Sequence, residues 1–240
     1  MSDDAGKLRR KLIHERQKLG QWPPVGRVRF GSLRRLEPIN KQFGHGRGQP
    51  IDRYYIEKFL SEHRRDVRGR VLEIGDASYT RKFGDEGVTR SDVLSYIEGN
   101  PEATIVADLT RADNIPSDVF DCIILTQTLQ MIYEARSAVN QLYRILKPGG
   151  TLLVTAHGTS RICRREGVDD WGEYWRFTGQ SLHHLLAERF ARERVDVSTY
   201  GNVFAAICFL EGIAAEELDP VEIDHQDTDF EVLVAARAVK

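Results

Sequence analysis

Acidic side chains stand at the ends of three short apolar runs in the middle of the chain. Glu73 lies in the first run, Asp92 ends the second and Asp108 follows the third. An acid about 20 residues beyond a glycine-containing first turn is typical of ribose recognition, and Asp92 lies 19 residues after Glu73. Asp108 can accept a hydrogen bond from an adenine amine, and Leu109 can cover the ring. The spacing therefore predicts a nucleoside site.

The turn after the first apolar run contains Gly75, Asp76 and Ala77. Glycine lets the backbone turn sharply and approach a ligand closely, and the amides that follow can face a negatively charged group. The same residues would also suit a tight strand-to-helix turn without a ligand. Together with Asp92 and Asp108, they favour the ligand site.

His157 is the candidate catalytic group. It follows the predicted strand 151–155, so it lies at the edge of the sheet where a second substrate would enter. Histidine titrates near neutral pH and is a usual general base for an alcohol. We therefore predict His157 as the base; the alternative is a histidine that simply ends a strand. His45, with Glu173 behind it, is the next candidate.

Four aromatic residues lie within the segment 169–178, between that strand and the next helix. Their rings either pack in the core at the sheet edge or form a site, because Trp and Tyr offer apolar faces with polar edges that suit sugar rings. Asp169, Asp170 and Glu173 lie beside them and can bind hydroxyl groups. Both interpretations stay open from the sequence.

Short apolar runs and helical patterns alternate after residue 50. Strands separated by helices favour a parallel, doubly wound sheet, in which ligands bind at the carboxyl ends of the strands. The predicted strands are 70–75, 88–93, 103–107, 119–125, 151–155, 194–199 and 230–239, and the main predicted helices are 5–20, 51–62, 134–146, 181–190 and 203–218.

Charge is distributed unevenly along the 240 residues, whose formal net charge is -2. Residues 1–70 hold 18 Lys and Arg against 8 Asp and Glu, a net +10, and the remaining residues hold 16 against 28, a net -12. We predict a basic N-terminal extension, 1–50, and one domain, 51–240. The extension either folds against its own acidic domain or meets an anionic partner.

Composition excludes several classes of protein. No apolar run approaches the length of a membrane span, and the first 20 residues have no apolar core of the kind that a secretory signal needs. Three scattered cysteines disfavour a disulfide framework and favour a reducing cytoplasm. The acidic segment 219–229 is interpreted as a solvated loop, so no metal site is predicted.

The chain resembles the class I S-adenosylmethionine-dependent methyltransferases in five pieces. Between about Val71 and Val154 these pieces come in the same order and spacing: VLEIG, the acid of the second strand, VADL, FDCIILTQTLQ and LKPGG. The resemblance implies a Rossmann-like, doubly wound α/β fold whose seven-stranded sheet is mostly parallel with an antiparallel last strand. A nicotinamide-binding Rossmann enzyme fits less well, because it needs glycine where Thr80 stands.

The resemblance also implies S-adenosyl-L-methionine as the cofactor. Glu73 and Gly75 match the motif that holds the methionine amino group and lets the backbone pass beneath the cofactor, although Ala77 and Tyr79 stand where the pattern has glycines. A helix before the first strand can close the pocket with Tyr54. The predicted cofactor-binding residues are Glu73, Gly75, Asp76, Ala77, Asp92, Asp108, Leu109, Thr126, Gln127 and Tyr54.

The predicted reaction is methyl transfer to an acceptor that enters beside Thr126 and Gln127. A YWRFT stretch at 174–178 also resembles methyltransferases associated with glycan assembly, so the leading acceptor is a hydroxyl of a sugar or glycoconjugate. Two alternatives stay open: an RNA or small-metabolite methyltransferase whose basic extension holds the anion, and a protein that binds the cofactor without catalysis. Nucleic acid is the less favoured partner.

Overall fold

A computed structural model describes residues 23, 24, 26–163 and 172–240. The chain divides into two units, Met1–Glu37 and Pro38–Lys240. In the described part of the first unit, a single 3-10 turn covers Gly31–Leu33. The predicted helix 5–20 lies outside the described residues. No helix within the described ranges is long and apolar enough to cross a membrane.

The second unit is built on one seven-stranded sheet in the order β3-β2-β1-β4-β5-β7-β6. Strands β1 to β5 pair in parallel, and β7 is antiparallel to both β5 and β6. This arrangement confirms the predicted fold class. The strands are β1 Gly69–Ile74, β2 Val88–Ser95, β3 Ile105–Val106, β4 Phe120–Thr126, β5 Leu146–His157, β6 Val195–Tyr200 and β7 Leu233–Val239.

Helices cover both faces of this sheet, as the alternation of patterns predicts. Each helix buries one apolar face; Tyr55, Ile56 and Phe59, for example, lie on the buried side of the helix that follows Pro50. Burying one such side chain contributes about 1.5–3 kcal/mol. The helices are α1 Ile51–Glu62, α2 Ser78–Phe83, α3 Ala135–Ile145, α4 Gly179–Leu186, α5 Val203–Glu211 and α6 Pro220–Asp224.

Strand β4 shows how the sheet separates two cores. Ile123 and Leu125 point into one apolar cluster, and Cys122 and Ile124 point into the other. All four side chains are fully buried, which is typical of a parallel strand covered on both faces. The carboxyl ends of β1, β2, β4 and β5 consequently meet at one edge of the sheet, which we call the carboxyl edge.

Some element boundaries differ from the sequence-based predictions. Strand β2 continues to Ser95, two residues beyond the predicted end, so Asp92 is an interior strand residue. Helix α5 stops at Glu211 because Gly212 takes the left-handed conformation, with φ +71°, a backbone state that glycine adopts readily at a helix end. The predicted helix 203–218 is therefore too long.

Residues 38–50 pack on the chain that follows α5. The Asn40 amide donates to the Glu211 carbonyl at 2.9 Å, and the Ala215 amide donates to the Gln49 carbonyl at 2.8 Å. Arg47 forms an ion pair with Glu217. The glycine-rich segment is thus tied to the domain at several points, and the boundary at residue 50 stays a prediction.

Candidate functional site

The first loop of the carboxyl edge leaves room above its backbone. Gly75 has φ +89°, and a side chain built there would meet nothing within 4 Å. Its carbonyl accepts a hydrogen bond of 2.6 Å from the Asn100 amide. Asp76 is exposed and accepts from the Ser78 amide at 2.7 Å, and Ala77 is buried. The loop is therefore shaped for close approach of a ligand from the open side.

Glu73 fixes the start of α2. Its carboxylate accepts hydrogen bonds from the amides of Tyr79 at 3.0 Å and Thr80 at 2.7 Å, and from the Thr80 hydroxyl at 2.7 Å. Burial raises the pKa of Glu73, although these hydrogen bonds favour its charged form. The carboxylate thus holds the loop in shape, and its predicted contact with a methionine amino group stays a prediction.

In helix α1, the side chain that contacts the residues after Gly75 is Arg53 and not Tyr54. The Arg53 guanidinium donates to the Tyr79 hydroxyl at 2.7 Å and lies over the Tyr79 ring. The Tyr54 hydroxyl instead donates to Asp224 at 3.0 Å, beside the Lys58 ammonium. The Tyr54 side chain thus lies against α6, and its predicted contact with the cofactor stays a prediction.

Asp92 does not lie where the ribose prediction places it. It is fully buried within β2 and pairs with the Arg70 guanidinium at 2.6 Å and with Arg90 at 3.0 Å, while the Thr104 hydroxyl donates at 3.1 Å. Burial alone would raise the pKa of Asp92, but Arg70 and Arg90 bring it below its usual value. Strand β2 ends at Ser95, so the prediction that Asp92 ends the strand is wrong, and its ribose contact stays a prediction.

Asp108 lies just beyond β3. One of its carboxylate oxygens accepts two hydrogen bonds, and the other has only a distant charged neighbour. Oδ1 accepts from the Thr110 amide and hydroxyl, both at 2.8 Å. Oδ2 lies 3.9 Å from the Arg111 guanidinium, and the Asp108 side chain is 34% exposed. This geometry suits the predicted adenine contact. Leu109 is buried and belongs to the core cluster.

Gln127, directly after β4, has a strained backbone. Its φ of +48° is left-handed, a state that costs a residue other than glycine about 1 kcal/mol or more and occurs often at functional sites. The side-chain Oε1 accepts from Gln130 at 2.9 Å, whereas Nε2 is buried without a partner among the described residues. Thr126 ends the strand beside it and is half-buried.

His157 ends β5 and is buried between two carboxylates. Its Nε2 lies 3.6 Å from Asp52 Oδ2, and its Nδ1 lies 3.4 Å from Glu173 Oε1. Phe43 and Phe209 cover the ring. Burial alone would lower the pKa of His157, but Asp52 and Glu173 raise it above its usual value. The imidazole thus links three segments, and its role as a base stays a prediction.

The aromatic segment divides between the two interpretations. Phe177 is buried in the core, whereas Tyr174 and Trp175 are 53% and 40% exposed. Trp171, Asp169 and Asp170 lie outside the described residues. The sequence missed Asp52, Gln130, Thr155 and Tyr133 as neighbours of the edge; only the spacing of Gln127 and Gln130, three positions apart, could have indicated a contact.

Comparison with known proteins connects this edge to a reaction class. Residues 77–154 match a family model described as "Methyltransferase domain". The chain is similar to methyltransferase domains over this region. Its matched region spans α2 to β5, which includes Asp108, Thr126 and Gln127 at the carboxyl edge.

Individual relatives agree with this assignment. Residues of the chain are 33% identical to a ubiquinone/menaquinone biosynthesis C-methyltransferase, UbiE, from Pectobacterium carotovorum, over 37% of this chain and 30% of that protein. A Mesorhizobium loti S-adenosylmethionine-dependent methyltransferase structure has a TM-score of 0.50 at 15% identity and covers 79% of this chain and 98% of that one. The cyclase SpnF also reaches 0.50, at 15% identity over 78% of this chain and 80% of that one.

These comparisons agree with the predicted enzyme class, an S-adenosylmethionine-dependent methyltransferase, and with the predicted cofactor. The chain spans about a third of the length of the curated relatives that it matches, and the structural likeness shows the fold. The residues present fit the cofactor, because a side chain at Gly75 would meet nothing within 4 Å, Asp108 Oδ2 has Arg111 only at 3.9 Å, and Gln127 Nε2 has no partner among the described residues.

Proposed function

We propose that this chain is an S-adenosylmethionine-dependent methyltransferase that methylates a hydroxyl oxygen of a sugar or glycoconjugate. One observation carries the choice of a polar acceptor. Within the described ranges, the buried polar atoms that lack partners include Gln127 Nε2, Gln130 Oε1, Thr155 Oγ1 and His157 Nε2. Buried polar groups are normally paired, so these atoms offer hydrogen bonds to a ligand or to ordered water.

The donor side of the site has separate tasks. The cofactor supplies a methyl group already activated on a sulfonium. Asp108 Oδ2 would accept from its adenine amine, the backbone at Gly75 would pass beneath its methionine part, and Ser95 would stand where the ribose lies. Gln127 would lie between the cofactor and the acceptor, since it follows β4 directly and its Nε2 has no partner among the described residues.

The acceptor oxygen forms a bond to the methyl carbon as the carbon–sulfur bond breaks, and the hydroxyl proton must leave. His157 is the proposed base for that proton, with Nε2 as the receiving atom. An imidazole can accept a proton only when it is neutral, and its pKa is raised by Asp52 and Glu173. Turnover should therefore be low at acidic pH and rise as the pH passes that raised value.

A second candidate reaction is carbon methylation of a quinone precursor. The 33% identity to UbiE over 37% of the chain favours it. A quinone ring bearing an apolar tail would need an enclosed apolar surface, whereas Gln127, Gln130 and Thr155 near the ends of β4 and β5 have polar atoms without partners in the described chain. The polar lining is the reason why oxygen methylation of a sugar comes first.

The deciding experiment incubates the purified full chain with labelled S-adenosylmethionine and separate acceptors: glycolipid extract, simple methyl glycosides, naphthohydroquinone and transfer RNA. We expect label in a glycan fraction, released as an O-methyl sugar on hydrolysis. Label in a carbon-bound methyl group of naphthohydroquinone would contradict the proposal and support the second candidate. Tight cofactor binding without turnover on any acceptor would support the non-catalytic alternative.

A further inference from the structure

Three aromatic rings from two loops form an exposed cluster next to the proposed acceptor side. Tyr133 follows β4, and Tyr174 and Trp175 precede α4. The rings of Tyr133 and Trp175 are stacked with centroids 5.9 Å apart and 23° between their planes, and Tyr174 meets Tyr133 edge-on at 5.2 Å. We call these three residues the aromatic platform.

The platform is both rigid and exposed. The Trp175 indole nitrogen donates to the carbonyls of Ile132 at 3.0 Å and Tyr133 at 3.2 Å, which fixes the plane of the indole. Tyr133, Tyr174 and Trp175 nevertheless remain 62%, 53% and 40% exposed. A contiguous group of exposed aromatic rings is uncommon on a folded surface and marks an interaction site.

A short chain of hydrogen bonds joins the platform to the end of β4. The backbone amides of Tyr174 and Trp175 donate to the Gln130 carbonyl at 2.9 and 3.2 Å. The side chain of Gln130 in turn donates to Gln127 at 2.9 Å. Gln130 therefore connects the platform to Gln127, beside which the methyl group would be transferred.

We propose that the aromatic platform binds a pyranose ring of the methyl acceptor and thereby determines which glycan is methylated. This inference rests on the proposed methyl transfer to a sugar. A pyranose has an apolar face of C–H groups and a rim of hydroxyls, so it can stack on Trp or Tyr while its rim stays in water. The exposure of the platform and the charged Arg176 beside it suit such a ring better than an apolar quinone.

Direct binding tests the platform without knowledge of the natural acceptor. The probes are methyl α-mannopyranoside, methyl β-glucopyranoside and methyl α-rhamnopyranoside, titrated into the full chain in the presence of S-adenosylhomocysteine. The signal is the indole N–H resonance of Trp175, assigned by its loss in Trp175→Phe. We expect at least one glycoside to shift this resonance, and Tyr133→Ala to weaken that glycoside's binding roughly tenfold.

Phe204→Ala is the matched control, because Phe204 is a comparably exposed ring, 42%, on α5. This variant should bind the glycoside and S-adenosylhomocysteine as the wild type does. Tyr133→Ala should also keep its affinity for S-adenosylhomocysteine and its melting temperature, which separates loss of the platform from loss of the fold.

Two results would overturn the inference. If S-adenosylhomocysteine binds but no glycoside shifts the Trp175 resonance, the platform is not a pyranose site, while the methyltransferase proposal still stands. If naphthohydroquinone shifts that resonance and the glycosides do not, the platform serves a planar acceptor instead. Failure of S-adenosylhomocysteine itself to bind would count against the proposed function as a whole and would remove the basis of the inference.

Discussion

The carboxyl edge has a donor part, where the cofactor would bind, and an acceptor part, where the second substrate would bind. The two parts differ in how far their polar groups are hydrogen-bonded. In the loops after β1 and β3, Glu73 and Asp108 Oδ1 accept hydrogen bonds from their own loops, and Asn100, before β3, donates to the Gly75 carbonyl. At the ends of β4 and β5, Gln127 and Gln130 keep buried atoms without partners in the described chain. The donor part is thus a set of pre-shaped loops, whereas the acceptor part holds unused hydrogen-bonding capacity.

Two aspartates, one within β2 and one just after β3, differ in the same way in their burial and pairing. Asp92 is fully buried and saturated by Arg70, Arg90 and Thr104. Asp108 is partly exposed, and the charged group paired with its Oδ2 is the Arg111 guanidinium at 3.9 Å. Asp92 should therefore matter for stability and Asp108 for ligand binding, and substitutions can separate the two.

The largest expected effect is on Asp92. Removing a buried carboxylate leaves Arg70 without its partner, so we expect Asp92→Ala to lower the free energy of unfolding by about 2–3 kcal/mol. Arg90 is more exposed and contributes less. Urea denaturation measures the change, with Asp113→Ala, an exposed acid, as the control. Normal stability combined with weakened cofactor binding would restore the ribose role of Asp92.

Asp108→Asn should act on binding alone. The amide keeps the acceptor for Thr110 but loses the second carboxylate oxygen, so we expect S-adenosylhomocysteine to bind about tenfold more weakly, the value of a hydrogen bond to a charged group. Calorimetry measures the affinity, and the melting temperature should stay at the wild-type value. Equal affinity in the variant would place the adenine elsewhere.

His157 should make stability depend on pH. Because its folded-state pKa is raised above 6.5, its stabilising effect is complete below that unfolded-state value and is lost as the pH rises through the folded-state pKa. The free energy of unfolding should therefore fall in this range for the wild type, and His157→Gln should flatten the profile. Parallel profiles for the two proteins would show that Asp52 and Glu173 do not hold a charged imidazole.

The smallest effect is expected for Tyr54→Phe. The lost hydrogen bond to Asp224 lies near the surface and is worth about 0.5–1 kcal/mol at most. The affinity for S-adenosylhomocysteine should not change, because the side chain points toward α6. A clear loss of affinity, measured by the same calorimetry, would show that Tyr54 contacts the cofactor.

The sheet could be predicted from the sequence because its signals are local. Each strand is a short apolar run, and the LKPGG pattern ends α3 at Ile145 and leads directly into β5. The end of β2 could not be predicted in this way, since Asp92 interrupts the apolar run and looks like its end. The pairing of Leu94 with Ile74 and of Ser95 with Val106 shows that the strand continues.

The donor residues were partly predictable and the acceptor residues mostly were not. Gly75 and Asp108 sit at strand ends that the chain order reveals. Asp52 meets His157 only because α1 crosses the edge of the sheet, and Tyr133 meets Trp175 across 42 positions of sequence. Such contacts depend on how distant loops pack, which no local pattern records.

The central claim is that S-adenosylmethionine lies across the carboxyl ends of β1 to β4, and a crystal structure with S-adenosylhomocysteine bound tests it most directly. We expect the adenine at Asp108, the methionine part above Gly75 and the sulfur facing Gln127. Ligand density in the cleft of about 360 Å³ lined by Lys58, Tyr200 and Asp224, with none above Gly75, would contradict the account.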